Sequence, residues 1–152
     1  MKYRWLKFSA FLLYYFLGIV LFAFIAHTVW FALLPTEKIV LGNQVVDVVV
    51  ARTPFQHSMG LMFRPTLGRQ DGMLFVFPGS DPQCMWMANT FIPLSVAFID
   101  ANGEIRKLDD MSPLTKDSHC SGVPIKFALE TSQGWFDTHR IQVGTSFRRL
   151  SD

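Results

Sequence analysis

The chain has 152 residues, half of them hydrophobic, and a formal net charge of +2, which suits one domain plus an appendage. Lys2, Arg4 and Lys7 precede the first apolar run, whereas the other 11 basic residues and all 12 acidic residues follow it. The part from residue 35 onward therefore carries a charge of −1. Its basic residues are scattered along the chain, so the composition predicts no nucleic-acid partner.

A run without charged residues covers 27 positions, residues 8–34. As a helix it would measure about 40 Å, which exceeds the roughly 30 Å hydrocarbon core of a bilayer. We therefore predict a transmembrane helix that contacts the lipid bilayer through residues 8–34. A cleaved signal peptide is the alternative, but the run is longer than a typical signal core and no clear Ala-x-Ala site follows it.

The basic residues around this run predict its orientation. Three positive charges precede it and only Lys38 follows shortly after, so the positive-inside rule places residues 1–7 in the cytoplasm. We then expect residues 35–152 to form an extracytoplasmic domain. In a bacterium this arrangement is a single-pass signal anchor in the inner (plasma) membrane with a periplasmic domain. Pro35 ends the helix, so the domain follows the membrane segment closely.

Short strand patterns separated by turn residues make up the outer domain. The expected strands cover residues 38–41, 45–50, 73–77, 94–100, 104–108, 127–130, 141–143 and 146–150. Turns at Gly42-Asn43 and Asn102-Gly103 predict hairpins. The charged stretch 107–116, which Pro113 interrupts, is expected to be a loop. These features predict a mainly β fold, a single β-sandwich or partly closed barrel domain.

One short helix is expected before the central strands. Thr53 as N-cap, Pro54 at the first helical position and Gln56 at the third form a capping box. We expect this helix to end at Arg64-Pro65 and to carry His57, Met59, Leu61 and Met62.

Five motifs in the outer domain carry a family resemblance. In chain order they are Gly60-Leu61-Met62-x-Arg64, Gly72-Met73-Leu74-Phe75-Val76-Phe77, Trp86-Met87-x-Asn89-Thr90-x-Ile92-Pro93-Leu94, Phe98-Ile99-Asp100, and Leu129-Glu130 followed by Gly134-Trp135. Together they resemble the domain of unknown function 192 (DUF192) family over nearly the whole outer domain. The resemblance implies a compact, mainly β domain and no defined activity.

Three positions depart from the family pattern. Ala88 stands where a Lys is common, Ser95 where an Asp often occurs, and Gln56 where the family tends to have Glu. If the two charged residues contact a ligand elsewhere in the family, this chain lacks those contacts. Gln56 can still cap the helix, but it cannot act as an acid.

Cys84 and Cys120, the two cysteines of the chain, are expected to form a disulfide because the domain is predicted to lie outside the cytoplasm. In the chain-entropy model the bridge would stabilise the fold by roughly 3 to 4.7 kcal/mol. Two buried free thiols are the structural alternative. A redox pair is disfavoured because the separation of 36 positions lacks the C-x-x-C spacing.

Trp86, Asn89 and Thr90 are the predicted ligand-binding residues, with Asp100 and Glu130 as acidic neighbours. An exposed Trp beside an amide and a hydroxyl can stack on and hydrogen-bond a sugar, a peptide or another small polar ligand. The structural alternative is that the polar residues satisfy turn backbone and that Trp86 fills the core.

Metal binding and catalysis have weaker sequence support. Soft ligands that would suit Cu(I) are His57, Met59, Met62, Met85, Met87 and His119. Their spacing matches no ligand motif, and Met also fills cores beside aromatic residues, so we expect no metal and no cofactor. No Gly-x-Ser-x-Gly, P-loop or zinc-ligand pattern is present.

The sequence therefore predicts a membrane-anchored, non-catalytic module that binds a small molecule or an envelope protein. An enzyme is the main alternative: a small envelope hydrolase or transferase with Asp100 or Glu130 as acid/base. A copper-handling protein is the third hypothesis.

Overall fold

The computed structural model describes residues 2–68 and 71–150, and the side chains of the basic segment 1–7 lie outside the described part. The chain divides into two compact units, Met1–Leu34 and Pro35–Asp152. The first contains helix α1, Lys2–Ala32. Its part Phe11–Ala32, 22 residues, is long and apolar enough to cross a membrane, and large apolar side chains along it are exposed. Such a helix suits a signal anchor or a signal peptide.

The second unit is mainly β. Its described helices are α2, Pro54–Met59, and α3, Trp135–Thr138. Its described strands are β1 Thr36–Leu41, β2 Gln44–Ala51, β3 Gly72–Asp81, β4 Cys84–Met85, β5 Leu94–Ile99, β6 Ile105–Met111, β7 His119–Cys120, β8 Ile125–Ser132 and β9 Phe147–Arg149.

Seven strands form one curled sheet in the order β6-β5-β8-β3-β2-β1-β9, and β4 pairs with β7 in a separate two-stranded sheet. Strands β2 and β3 run parallel, so the chain crosses between them through α2. The two edges of the large sheet meet at one end, where Ile105 N donates to Thr145 O at 3.1 Å and Phe147 N donates to Gly103 O at 2.6 Å. The expected mainly β, partly closed barrel is thereby confirmed.

Apolar side chains pack on both faces of this sheet. The concave face holds the main core, formed by Ile39, Leu41, Val46, Val48, Val50, Leu74, Ala97, Ile99, Ile105, Leu129, Phe136, Ile141 and Phe147. The other face carries a second buried set that includes Met73, Phe75, Val96, Phe98 and Ala128. Glu130 lies on this second face, opposite Met73 on β3 and Val96 on β5.

Two predictions of strand and loop were wrong. The stretch 107–116 was expected to be loop, but β6 extends through its charged residues to Met111. An edge strand pairs on one side only, so Lys107 and Asp109 can reach solvent while Ile105 and Met111 are buried. Residues 141–143 form no strand, because Ile141 N donates to Phe136 O at 2.8 Å and closes the turn after α3.

The helix predictions also need correction. The predicted capping box is present, since Thr53 Oγ1 accepts from Gln56 N and Gln56 Oε1 accepts from Thr53 N. However, α2 ends at Met59, because Gly60 has φ +46° and directs the chain out of the helix. A second short helix, α3, was not expected; its four residues are too few for a periodic signal.

Candidate functional site

Helix α2 places His57 over the second face of the sheet. The His57 ring lies 5.0 Å from the Phe77 ring and 5.9 Å from the Phe75 ring, centroid to centroid. Its Nε2 lies 3.1 Å from Ala51 O. A carbonyl oxygen can only accept a hydrogen bond, so Nε2 is the donor in this contact and Nδ1 is not engaged by it.

The disulfide fixes the opposite wall of the site. Cys84 and Cys120 face each other across the β4–β7 pair and are bonded, with a Cα–Cα distance of 3.9 Å. The predicted disulfide is thus confirmed. It holds the start of the segment 84–90, in which Met85 is buried and Trp86 is 53% exposed.

A groove of about 400 Å³ runs between α2 and this segment. It is lined by Pro54, His57, Ser58, Phe75, Phe77, Pro78, Gln83, Cys84, Met85 and Trp86. Three aromatic side chains and the disulfide make its walls largely apolar, and the polar groups are few. Concave, apolar surfaces with a few polar groups are typical of small-ligand sites.

A smaller cavity of about 20 Å³ adjoins the groove and shares His57, Ser58, Phe75, Met85 and Trp86 with it. We call it the inner cavity. Its further lining residues are Met59, Gly60, Leu61, Met62, Thr90 and Glu130. A volume of this size holds about one water molecule or one ion.

Glu130 is the buried acid of the inner cavity. Its side chain is 4% exposed, and burial raises its pKa to about 8 because desolvation penalises the charged form. Among the described residues, no side chain forms an ion pair or a hydrogen bond with its carboxyl group. The carboxyl is therefore neutral at pH 7 and can donate a hydrogen bond into the cavity.

Thr90 lines the inner cavity, and the preceding residue, Asn89, contacts Met62 in its wall. Asn89 has φ +56°, and its carbonyl accepts a hydrogen bond from Phe63 N at 2.9 Å. Its Nδ2 lies 3.9 Å from Met62 Sδ, a weak donor contact to the sulfur. Thr90 is buried and donates from Oγ1 to Ala88 O at 3.4 Å. The Thr90 side chain therefore bonds the local backbone, whereas the Asn89 side chain contacts a sulfur atom.

Asp100 lies apart from this cluster. Its Oδ1 accepts from Asn102 N at 2.9 Å and from Glu104 N at 3.0 Å, which closes the β5–β6 turn. Its Oδ2 lies 3.8 Å from Arg106. Of the predicted ligand-binding residues, Trp86, Thr90 and Glu130 line the inner cavity together and Asn89 contacts its wall, whereas Asp100 does not line it.

Sequence reasoning named His57 and Met59 of α2 as soft ligands but did not place them beside Trp86 and Glu130. His57, Met59, Met62 and Met85 line the inner cavity, whereas Met87 is fully buried. His119 Nδ1 lies 3.1 Å from Asp109 Oδ2. Within the described ranges, no group of three or more His, Cys, Asp or Glu side chains could hold a metal ion.

The chain matches DUF192, an uncharacterized ACR family, over residues 37–148. It belongs to the DUF192 family. The positions that depart from the family pattern are structural here: Ser95 donates to Asp110 and accepts from Gly134 N at 3.0 Å, and Ala88 is buried. Gln56 keeps its capping role.

Two solved structures resemble this DUF192 chain. One is a protein from Sinorhizobium meliloti 1021, provisionally described as a transcription regulator, with 28% identity and a TM-score of 0.75; the match covers 78% of this chain and 97% of that one. The other is a protein of unknown function from Novosphingobium aromaticivorans DSM 12444, with 26% identity and a TM-score of 0.72. That match covers 76% of this chain and 86% of the other chain. The sequence matches none of the curated proteins.

Proposed function

We propose that this chain is a membrane-anchored, extracytoplasmic, non-catalytic binding module, whose ligand or partner occupies the groove beside Trp86. The observation that carries this proposal is the open groove of about 400 Å³ with a half-exposed Trp at its wall. The adjoining inner cavity contains the carboxyl group of Glu130, which has no partner among the described residues. Burying the rest of the Trp86 side chain against a ligand would contribute on the order of 2 kcal/mol.

The proposed location rests on two independent features. The apolar stretch Phe11–Ala32 is about 33 Å long at 1.5 Å per residue, and three basic residues precede it. The bonded Cys84–Cys120 pair fits an oxidising compartment. The apolar stretch and the basic residues before it favour an anchor with residues 1–7 in the cytoplasm, and the disulfide favours a periplasmic location for residues 35–152.

The non-catalytic part of the proposal rests on where the carboxyl groups lie. An envelope hydrolase or transferase that uses Asp100 or Glu130 as acid/base would need that carboxyl group within reach of the substrate. Asp100 instead accepts two backbone hydrogen bonds in the β5–β6 turn, both at Oδ1. A neutral Glu130 in a cavity of one-water size is better suited to hold a ligand group than to transfer protons between two faces of a sugar or peptide.

The binding proposal is tested in living cells with a photoreactive amino acid placed at Gln83, which lines the groove, or at the exposed Val143, which does not. We expect a cross-linked adduct from position 83 and none from position 143. Trp86→Ala should abolish the adduct, and Phe91→Ala, which removes an exposed aromatic outside the groove, should preserve it. An adduct that is insensitive to Trp86→Ala would refute the site.

The anchor is tested by fractionation and protease treatment. We expect the full-length chain in the membrane fraction, and we expect protease added to the periplasmic side to digest residues 35–152. A mature chain that is released from the membrane without its first 34 residues would show cleavage instead. An intact outer domain after protease treatment of spheroplasts, with detergent-lysed cells as the positive control, would reverse the proposed topology.

A further inference from the structure

The inner cavity combines soft metal ligands that the sequence keeps apart. Three thioether side chains, one imidazole, one indole and one carboxyl group line a space of about 20 Å³, and they belong to Met59, Met62, Met85, His57, Trp86 and Glu130. Thioether and imidazole groups prefer soft metal ions such as Cu(I) over hard ones. A space of this size fits one ion and is too small for an organic molecule.

We infer that the inner cavity binds one soft monovalent metal ion, Cu(I), through His57 Nδ1 and the sulfur atoms of Met59, Met62 and Met85. The inference rests on the proposed function, because it assigns an ion to the inner cavity that adjoins the groove of the same binding module. The Trp86 ring lines the cavity and supplies a cation–π contact to the bound ion.

The contact of His57 with Ala51 orients the imidazole as a metal ligand is usually oriented. Metal-binding His residues usually donate one ring N–H to a carbonyl or carboxylate group, which fixes the other nitrogen as the ligand. Here Nε2 donates to Ala51 O at 3.1 Å, so Nδ1 is the ring nitrogen that remains for a ligand. The capping box fixes the start of α2 and thereby the position of this ring.

Two of the three cavity methionines, Met59 and Met62, differ in exposure from the core methionines of the same domain, whereas Met85 is buried like them. Met73, Met87 and Met111 are 0% exposed, as expected of core residues, whereas Met59 and Met62 are only half-buried beside the cavity. The turn at Gly60 directs the chain so that both line it. The weak contact of Asn89 Nδ2 with Met62 Sδ, at 3.9 Å, makes Asn89 a positioning residue for this sulfur.

The ligand set favours Cu(I) over other metal ions. Zn²⁺ and other borderline ions need imidazole, thiolate or carboxylate groups in larger number. In the described residues no three such side chains converge, and both cysteines are bonded to each other. Thioether ligands do not form disulfides, so a site built from them keeps its ligands in an oxidising compartment. The buried carboxyl group of Glu130, which has no partner among the described residues, faces the same space.

The inference is tested by anaerobic titration of the full-length chain in detergent micelles with Cu(I), in competition with a Cu(I) chelator, and with Ag(I) as a redox-inert analogue. We expect one ion per chain and a change in tryptophan fluorescence, with no stoichiometric binding of Zn²⁺. Trp86→Phe should retain the ion and lose most of the fluorescence change. Absence of stoichiometric Cu(I) and Ag(I) binding would overturn the inference.

Conservative methionine variants give the residue-level test. Met59→Leu, Met62→Leu and Met85→Leu keep side-chain volume and remove the sulfur, and each should weaken Cu(I) binding at least tenfold. Met111→Leu, in the core, is the matched control and should leave the affinity unchanged. Equal affinity in all four variants would overturn the assignment. If the four variants show equal affinity but Trp86-dependent cross-linking persists, only the metal site is refuted and the proposed binding module is retained.

Discussion

Gly103 and Phe147 meet at the point where the two edges of the large sheet close on each other. The amide of Phe147 donates to the carbonyl oxygen of Gly103 at 2.6 Å. Gly103 has φ +77°, and a Cβ atom added to it would lie 2.4 Å from Phe147 O. Both the backbone conformation and the space therefore require glycine at this position.

Gly103→Ala should destabilise the outer domain by about 2 kcal/mol or more, because the free-energy cost of the strained φ and that of the clash with Phe147 O are additive. Gly122→Ala is the matched control: its φ is +71°, but no atom lies within 4 Å of an added Cβ, so only the cost of about 1 kcal/mol for the left-handed conformation remains. Urea unfolding of the full chain in micelles measures both. Equal losses would contradict the role of Gly103 in closure.

Glu130 should make stability fall as the pH rises. The pKa of its carboxyl group rises from 4.5 to about 8 on folding, because of burial. Between these pH values the folded protein keeps a proton that the unfolded chain has lost. This group therefore lowers the free energy of unfolding by about 1.4 kcal/mol per pH unit. Its contribution is complete below pH 4.5 and lost near pH 8.

Glu130→Gln removes this titration and should flatten the profile between pH 5 and pH 8, as measured by urea unfolding at each pH. Glu104→Gln changes a carboxyl group that is 48% exposed and pairs with Arg106, and it should keep the wild-type slope. A Glu130→Gln variant with the wild-type slope would contradict the raised pKa.

Removal of the disulfide should cost up to about 4 kcal/mol, because the bond closes a loop across 36 positions. The Cys84→Ser/Cys120→Ser double variant in urea unfolding, with the reduced wild-type protein alongside, measures this contribution. We also expect the double variant to lose cross-linking at position 83, since the β4–β7 pair holds the groove wall. Wild-type stability in the double variant would show that the bond is dispensable.

Trp86 and Met87 are neighbours with opposite roles. Trp86 is 53% exposed and Met87 is 0% exposed. Trp86→Ala should change the free energy of unfolding by less than about 1 kcal/mol, whereas Met87→Ala should cost about 2–5 kcal/mol by leaving a cavity. Urea unfolding distinguishes the two. A large loss in Trp86→Ala would make Trp86 a packing residue, which is the structural alternative.

Local features of the fold were predictable because neighbouring residues determine them. The turn at Gly42-Asn43 and the capping box of Thr53 and Gln56 involve only contacts within a few residues, and both are present. Strand β6 was missed at its charged end, because Lys107 and Asp109 resemble loop residues unless one knows that the strand lies at a sheet edge. The edge position of a strand is a property of the whole sheet and cannot be read from the strand's own residues.

The candidate site was only partly predictable for the same reason. Trp86, Thr90 and Glu130 were chosen from their motifs and do line one cavity. His57 and Met59 reach that cavity because β2 and β3 pair in parallel and α2 crosses between them. No local pattern reports this long-range pairing. Methionine adds a further ambiguity, because the same residue serves in cores and as a soft ligand.

The β4–β7 pair consists of two residues on each side and stands outside the large sheet, so covalent linkage, more than strand pairing, keeps it in place. A newly made chain that still has both thiols reduced would possess the barrel but an unfinished groove wall. The groove wall would then be completed only when the two thiols are oxidised, after the large sheet has formed.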